Sequence, residues 1–180
     1  MDATFKICIF GDGGVGKTTL IRRYLTGVFN EGTNMTIGVD FHVKFLNIDG
    51  KNVSLQIWDF AGEDRFRFLL PSYVRGASGG IFMYDVTRYS SLKNLQNWFD
   101  VFNGAAKSQQ FQLPVLMVGS KIDLIHKRTV EREHAKQLAQ NCQCMGYMEC
   151  SAKTGLNVEQ IFQVISSIML EHSGLLNYPV

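Results

Sequence analysis

The residues best suited to chemistry lie near the start of the chain, where Gly11-Asp12-Gly13-Gly14-Val15-Gly16-Lys17-Thr18 fits the pattern G-x-x-x-x-G-K-[ST] at every fixed position. Glycines there let successive backbone N–H groups turn inward around a polyphosphate, and the helix that follows adds the positive end of its dipole. Lys17 can reach the β- and γ-phosphates, and the Thr18 hydroxyl is a ligand for Mg²⁺. The candidate phosphate contacts are therefore Gly13, Gly14, Val15, Gly16, Lys17, Thr18 and Thr19. A plain Gly-rich turn between a strand and a helix is the alternative, and the strand–loop–helix context weighs against it.

A second constellation follows the apolar run that ends in Ile57-Trp58-Asp59. An aspartate after a strand is usually a turn or a helix cap. Paired with a phosphate loop, Asp59 instead reads as the carboxylate that holds magnesium through water, with the Gly62 N–H beside the γ-phosphate. Base choice comes from Ser120-Lys121-Ile122-Asp123-Leu124 and Ser151-Ala152-Lys153. A carboxylate at Asp123 can accept two parallel hydrogen bonds from the N1–H and 2-amino groups of guanine, and adenine offers no such donor pair. Lys121 can lay its stem along the ring, and the Ser151–Lys153 loop can turn backbone N–H groups toward the guanine O6. Singly these short motifs are weak; in this order, each after a strand, they are strong.

These residues need a scaffold that brings strand ends together. Apolar, β-branched runs at residues 5–10, 41–48, 53–58, 80–86, 115–119 and 146–149 predict strands. Amphipathic stretches at 17–26, near 69–73, and at 91–106, 130–140 and 158–171 predict helices. Asp49-Gly50 is a two-residue hairpin signal, so the second and third strands pair antiparallel at one edge, and the rest need helical crossovers and are parallel. The expected fold is α/β: a six-stranded, mostly parallel sheet with one antiparallel edge strand and helices on both faces. In such a sheet ligands bind at the carboxyl ends of the strands, where the motifs fall.

The 180 residues, 46% hydrophobic and 19% charged with a net charge of +2, suit one globular domain, with residues 172–180 as a C-terminal tail. No apolar run approaches the roughly 20 residues that cross a bilayer, and the first residues carry no signal pattern, so a cytoplasmic chain is expected. Cys8, Cys142, Cys144 and Cys150 lack C-x-x-C spacing and read as free thiols. Lys127, Arg128 and Arg132 read as a solvated loop and helix face, and nucleic-acid binding is not expected.

From Phe5 to about Glu171 the chain resembles the Ras superfamily of small GTPases, whose fold is the P-loop NTPase G-domain, and within it the Rab branch. Thr36-Ile37-Gly38-Val39-Asp40-Phe41 resembles the Rab switch I signature, and Ile57-Trp58-Asp59 through Arg65-Phe66-Arg67 resembles switch II. Ser72-Tyr73-Val74-Arg75-Gly76-Ala77 and Tyr84-Asp85-Val86-Thr87 resemble two further Rab stretches. The resemblance implies that Thr36 ligates Mg²⁺ and senses the γ-phosphate, and that Phe29 packs on the guanine. It implies that Phe41, Trp58 and Tyr73 form an aromatic surface read by effectors; by residue type alone these are core aromatics, and for Trp58 and Tyr73 that reading stays open.

Where the family has the water-orienting glutamine this chain has Glu63. A neutral amide both donates and accepts, whereas a carboxylate only accepts and is repelled by the γ-phosphate. Either Glu63 slows hydrolysis until a partner intervenes, or it acts as a general base. Ser120 replaces the usual Asn or Thr, shortening a tie to the phosphate loop, and Phe60 replaces a small hydroxyl residue. Neither a C-terminal cysteine nor a glycine after Met1 offers a lipid acceptor, so membrane attachment is expected to need further residues, a protein partner or an anchorless lineage such as occurs among archaea. The expectation is a monomeric, Mg²⁺-dependent GTP/GDP switch with Glu63, Lys17 and Gly62 as catalytic residues, served by an exchange factor and an activator supplying an arginine in trans. A slow-hydrolysing GTP-held recruitment module is the rival; an ATPase or nucleotide kinase leaves Asp123 and Lys121 unexplained.

Overall fold

The computed structural model describes residues 1–32, 34–106 and 112–175, so residues 176–180 of the expected tail lie outside the described residues. Six strands, β1 (Ala3–Phe10), β2 (Val39–Ile48), β3 (Lys51–Phe60), β4 (Gly79–Asp85), β5 (Val115–Ser120) and β6 (Gly146–Glu149), form one sheet in the order β2-β3-β1-β4-β5-β6. Among the described residues only β2 and β3 pair antiparallel. Their connection is Asp49-Gly50, both with positive φ (48° and 80°), the geometry whose twist matches two adjacent strands. All residues of β4 and β5 are buried, as strands covered on both faces require.

The helices are α1 (Lys17–Thr26), α2 (Leu70–Val74), α3 (Ser90–Lys93), α4 (Leu95–Ala106), α5 (Arg132–Asn141) and α6 (Val158–His172), with 3₁₀ turns at Asp64–Leu69 and Ile122–Lys127. On one face Leu20 and Ile21 of α1 and Ile161, Phe162 and Ile165 of α6 pack on Ile7, Ile9, Leu55 and Ile57. On the other, Leu70, Trp98, Phe99 and Phe102 pack on Phe10, Phe82 and Tyr84. Phe10 stacks on Phe102 with centroids 4.7 Å apart. The chain leaves β1 toward one side of the sheet and β4 toward the other, which opens the crevice in which strand-end loops converge.

Two helices depart from the sequence expectation. The stretch 91–106 is not one helix: Asn94 leaves helical geometry (φ −91°, ψ 6°), and its side-chain amide donates to the Asp12 carboxylate instead of projecting into solvent. The helix expected from residue 130 begins at Arg132, because the buried Val130 spends its N–H on the Val86 carbonyl and Glu131 is extended.

Gly80 shows how tightly the second core is filled. A Cβ there would fall 2.9 Å from Phe102 Cζ and 3.0 Å from Phe10 Cε1, both on fully buried rings. Gly80→Ala should therefore cost about 1–3 kcal/mol by overpacking, measured as a lowered urea midpoint with an unchanged slope.

Candidate functional site

β1 ends in the phosphate-loop sequence because glycine is compulsory there. At Gly11, φ is 135° and a Cβ would lie 2.2 Å from the Met83 carbonyl oxygen; Gly14 and Gly16 also have positive φ, 73° and 101°. No side chain caps α1, so its N-terminus opens onto the pocket lined by residues 13–20. Lys17 is only 6% exposed, and its Nζ donates to the carbonyls of Gly11 and Asp12, both at 2.8 Å. Burial lowers its pKa to about 8; Asp59 and Asp12 resist the shift, and Arg88 adds to it.

Asp59 lies at the carboxyl end of β3, fully buried. Its Oδ2 accepts from the Thr18 hydroxyl at 2.5 Å, and the Thr18 and Thr36 hydroxyl oxygens are 2.6 Å apart. Burial raises the Asp59 pKa against the hydrogen bond from Thr18 and the charge of Lys17. Its Oδ1 is buried with no hydrogen-bond partner among the described residues. Two hydroxyls and a carboxylate with an orphaned oxygen fit a hard cation such as Mg²⁺, which takes oxygen ligands. Thr18 belongs to α1, Thr36 to the long loop before β2, and Asp59 to β3, so the set exists only in the folded chain.

The base side is built by two more loops. Ser120 Oγ donates toward the Val15 carbonyl at 2.5 Å and lies 2.9 Å from the Tyr84 carbonyl. Shorter than an amide, the hydroxyl still reaches the phosphate loop, though its single proton serves only one carbonyl at a time. Lys121 adopts φ 66°, and its Nζ spans the Gly14 carbonyl (2.8 Å) and the Asp85 carboxylate (2.7 Å). Asp123, Leu124, Ala152, Lys153 and Phe29 line the same pocket. Ser151 does not; it is buried behind the pocket and donates to Asp123 Oδ1 at 2.7 Å, orienting that carboxylate.

A phosphate loop, an oxygen ligand set and an oriented carboxylate thus share one crevice, and the Ras family model matches residues 6–171. The chain belongs to the Ras family. It is similar to the human Ras-related protein Rab-26, 40% identical over 173 residues, which cover 96% of this chain and 66% of that protein. It is also similar to Xenopus laevis Rab-19 (39% over 169 residues; 94% and 78%) and human Rab-30 (42% over 161; 89% and 77%). The chain spans about two thirds of Rab-26 and over three quarters of the other two. It is a Rab-like small GTPase with the mostly parallel, helix-flanked sheet of that family.

In this Rab-like chain the segment after β3 folds back on the phosphate loop. A Cβ on Gly62 would lie 2.2 Å from the Gly13 nitrogen and 2.3 Å from the Asp12 carbonyl carbon, so nothing larger than glycine fits. Glu63 lines the pocket, and its carboxylate is paired with Arg65 Nε at 2.5 Å. Phe60, whose place the sequence left open, is buried, lines the pocket and meets Tyr73 edge-on at 5.6 Å. Phe41 is exposed while Trp58 and Tyr73 are half-buried, in one tilted series with centroids 4.8 and 5.2 Å apart. Trp58 and Tyr73 pack against the second core and are partly exposed, and Phe41 lies beside them at the surface. Among the described residues no helix is long and apolar enough to cross a membrane.

Sequence reading missed several residues. Arg88 lays its Nη2 on the Gly13 carbonyl at 2.6 Å, with Nη1 3.6 Å from where a Gly14 Cβ would be. Only its position just after Tyr84-Asp85-Val86-Thr87 hinted at this. Arg128, expected on a solvated face with Lys127 and Arg132, is instead half-buried and forks onto both oxygens of Glu149 at 2.9 Å. Tyr147 donates to Glu149 at 2.7 Å and meets the Tyr84 hydroxyl at 2.6 Å, so a polar network underlies the guanine loops. The correction has a simple cause: Glu149 ends β6 partly buried, and Arg128 folds onto it to offset the charge.

Burial alone would raise the Glu149 pKa, but the hydrogen bonds from Arg128 and Tyr147 outweigh it, and the net shift is down. A carboxyl with a depressed folded pKa contributes stability above its unfolded value, and that contribution disappears as pH falls through the folded one. Glu149→Gln should cost about 2 kcal/mol at neutral pH and flatten the acid limb of stability below about pH 5, checked by urea titrations across pH.

Proposed function

We propose that this chain is a guanine-nucleotide switch that binds GTP and GDP with Mg²⁺, hydrolyses GTP, and regulates membrane traffic or a related process through effectors. The observation that carries the reading is the meeting of Lys17, Thr18, Thr36 and Asp59 beneath the Gly13–Gly62 contact. Lys17 would keep its two carbonyl contacts and turn the third ammonium proton to phosphate oxygens, and its lowered pKa is countered by the substrate's negative charge. Thr18, Thr36 and Asp59 would hold Mg²⁺, which when bound neutralises charge on the β- and γ-phosphate oxygens. Asp123, oriented by Ser151, would read the guanine edge, and Lys121 would flank it.

In the switch reading the γ-phosphate holds Thr36 and the Gly62 N–H, and hydrolysis removes that anchor from both loops. Effectors at Phe41, Trp58 and Tyr73 would sense the difference, because Phe41 and Trp58 sit on the strands β2 and β3 that flank the Thr36 and Gly62 loops and touch each other and Tyr73. An exchange factor and an arginine-supplying activator are proposed partners, with the chain itself a monomer working at membranes through partners.

One observation favours a second reading. Glu63 offers only acceptor oxygens, and one is occupied by Arg65. If that pair persists with GTP bound, hydrolysis is slow and the chain acts as a GTP-held recruitment module. Single-turnover hydrolysis of preloaded GTP by the native protein, Glu63→Gln and Thr36→Ala separates the two. Native turnover at least equal to that of Glu63→Gln, and lost in Thr36→Ala by about tenfold or more, is expected of the switch. Turnover by the Gln variant alone would identify the recruitment module, and displacement of bound GTP by equimolar ATP would exclude both.

A further inference from the structure

Trp98 of α4 is 1% exposed, and two parts of the nucleotide site meet on it. Its Nε1–H donates to Asp12 Oδ1 at 2.7 Å, and the Asn94 amide donates to Oδ2 of the same carboxylate at 3.2 Å. Over the ring, 4.5 Å from its centroid, lies the guanidinium of Arg67, itself paired with Asp64 at 2.5 Å. The Arg67 side chain is 18% exposed, and among the described residues its buried Nε has no hydrogen-bond partner, so the indole face is a contact that holds it on the inner side. Neither Asp12, Trp98 nor Arg67 lines the nucleotide pocket.

The main chain of Asp12, by contrast, is at the centre of the site. Its carbonyl accepts from Lys17 at 2.8 Å and abuts the position a Gly62 Cβ would take. We infer that Trp98 is a positioning residue for GTP hydrolysis, coupling the Asp64–Leu69 turn that follows Glu63 to the phosphate loop through Arg67 on its face and Asp12 on its edge. The coupling has a physical basis. An indole N–H bonded to a carboxylate pushes electron density into the ring, which strengthens the ring's attraction for a cation over it. Moving Arg67 therefore changes the hold on Asp12, and moving Asp12 changes the hold on the turn that directly follows Glu63.

This inference rests on the switch reading, and the test keeps the two apart. Trp98→Phe removes the N–H and keeps a ring; Arg67→Gln removes the cation. Each should slow single-turnover GTP hydrolysis by about fivefold or more, the double variant no further than the slower single one, with GDP affinity changed less than about twofold. A merely structural indole would lower GDP affinity in step with the rate, and independent roles would multiply; either result overturns the coupling while leaving the switch intact. Where Trp98→Phe fails to fold, the native indole serves as its own reporter in a Trp58→Phe background. Its emission should differ between GTP-loaded and GDP-loaded protein and the difference should vanish in Arg67→Gln; an equal difference in that variant overturns the coupling. A native protein that binds no guanine nucleotide overturns both readings.

Discussion

Turning successive N–H groups into one concavity forces the same residues' carbonyls outward, where they must find donors or lose stability. Each carbonyl from Gly11 through Val15 accepts from a side chain: the first two from Lys17, then Gly13 from Arg88, Gly14 from Lys121 and Val15 from Ser120. These donors come from α1, from the loop after β4 and from the end of β5, so the loop's shape is held by three separate elements. The sheet order brings those elements to the loop. With β1 between β3 and β4, and β5 beyond β4, the loops after all four strands open on the same edge. Three of the four donors are cations, so the outward face of the loop is capped by charges that also favour an anion inside it.

The same geometry explains why two glycines in different motifs depend on each other. Gly62 approaches Gly13 so closely that a Cβ on it would overlap the loop's nitrogen. A backbone that near is within reach of whatever the loop holds. The large residues that follow it, Phe66, Phe68 and Tyr73, are at most partly buried, so few core contacts hold this segment. Rigidity is kept behind it, where Phe60, Leu70 and Val74 are buried in the second core.

How much of this could be read in advance follows from how local each interaction is. The six strands and the hairpin at Asp49-Gly50 were legible because alternation, apolar runs and positive-φ turn residues are properties of neighbours in sequence. Asp59, Asp123 and the phosphate-loop residues were legible because their motifs carry the chemistry within a few positions. Arg88, Arg128, Asn94 and Trp98 were not. Their partners lie 75, 21, 82 and 86 residues away, and an arginine or asparagine on a polar stretch looks the same whether it meets water or a carboxylate. Asn94 misled twice, since the bond that hid its partner also broke a helix that periodicity alone predicts as continuous.

Glu63 marks where the site's electrostatics are most finely balanced. A carboxylate beside a γ-phosphate is repelled by it unless a cation offsets the charge, and Arg65 is the cation in contact. Arg65 is largely exposed, so the pair is screened and readily exchanged for other partners. A carboxylate released from it keeps full acceptor capacity toward a water proton, which an amide shares out between donating and accepting. The glutamate at this position is therefore an acceptor beside the pocket whose charge a neighbouring arginine offsets, and the turn that carries Arg65 and directly follows Glu63 is the one that Arg67 fastens to α4.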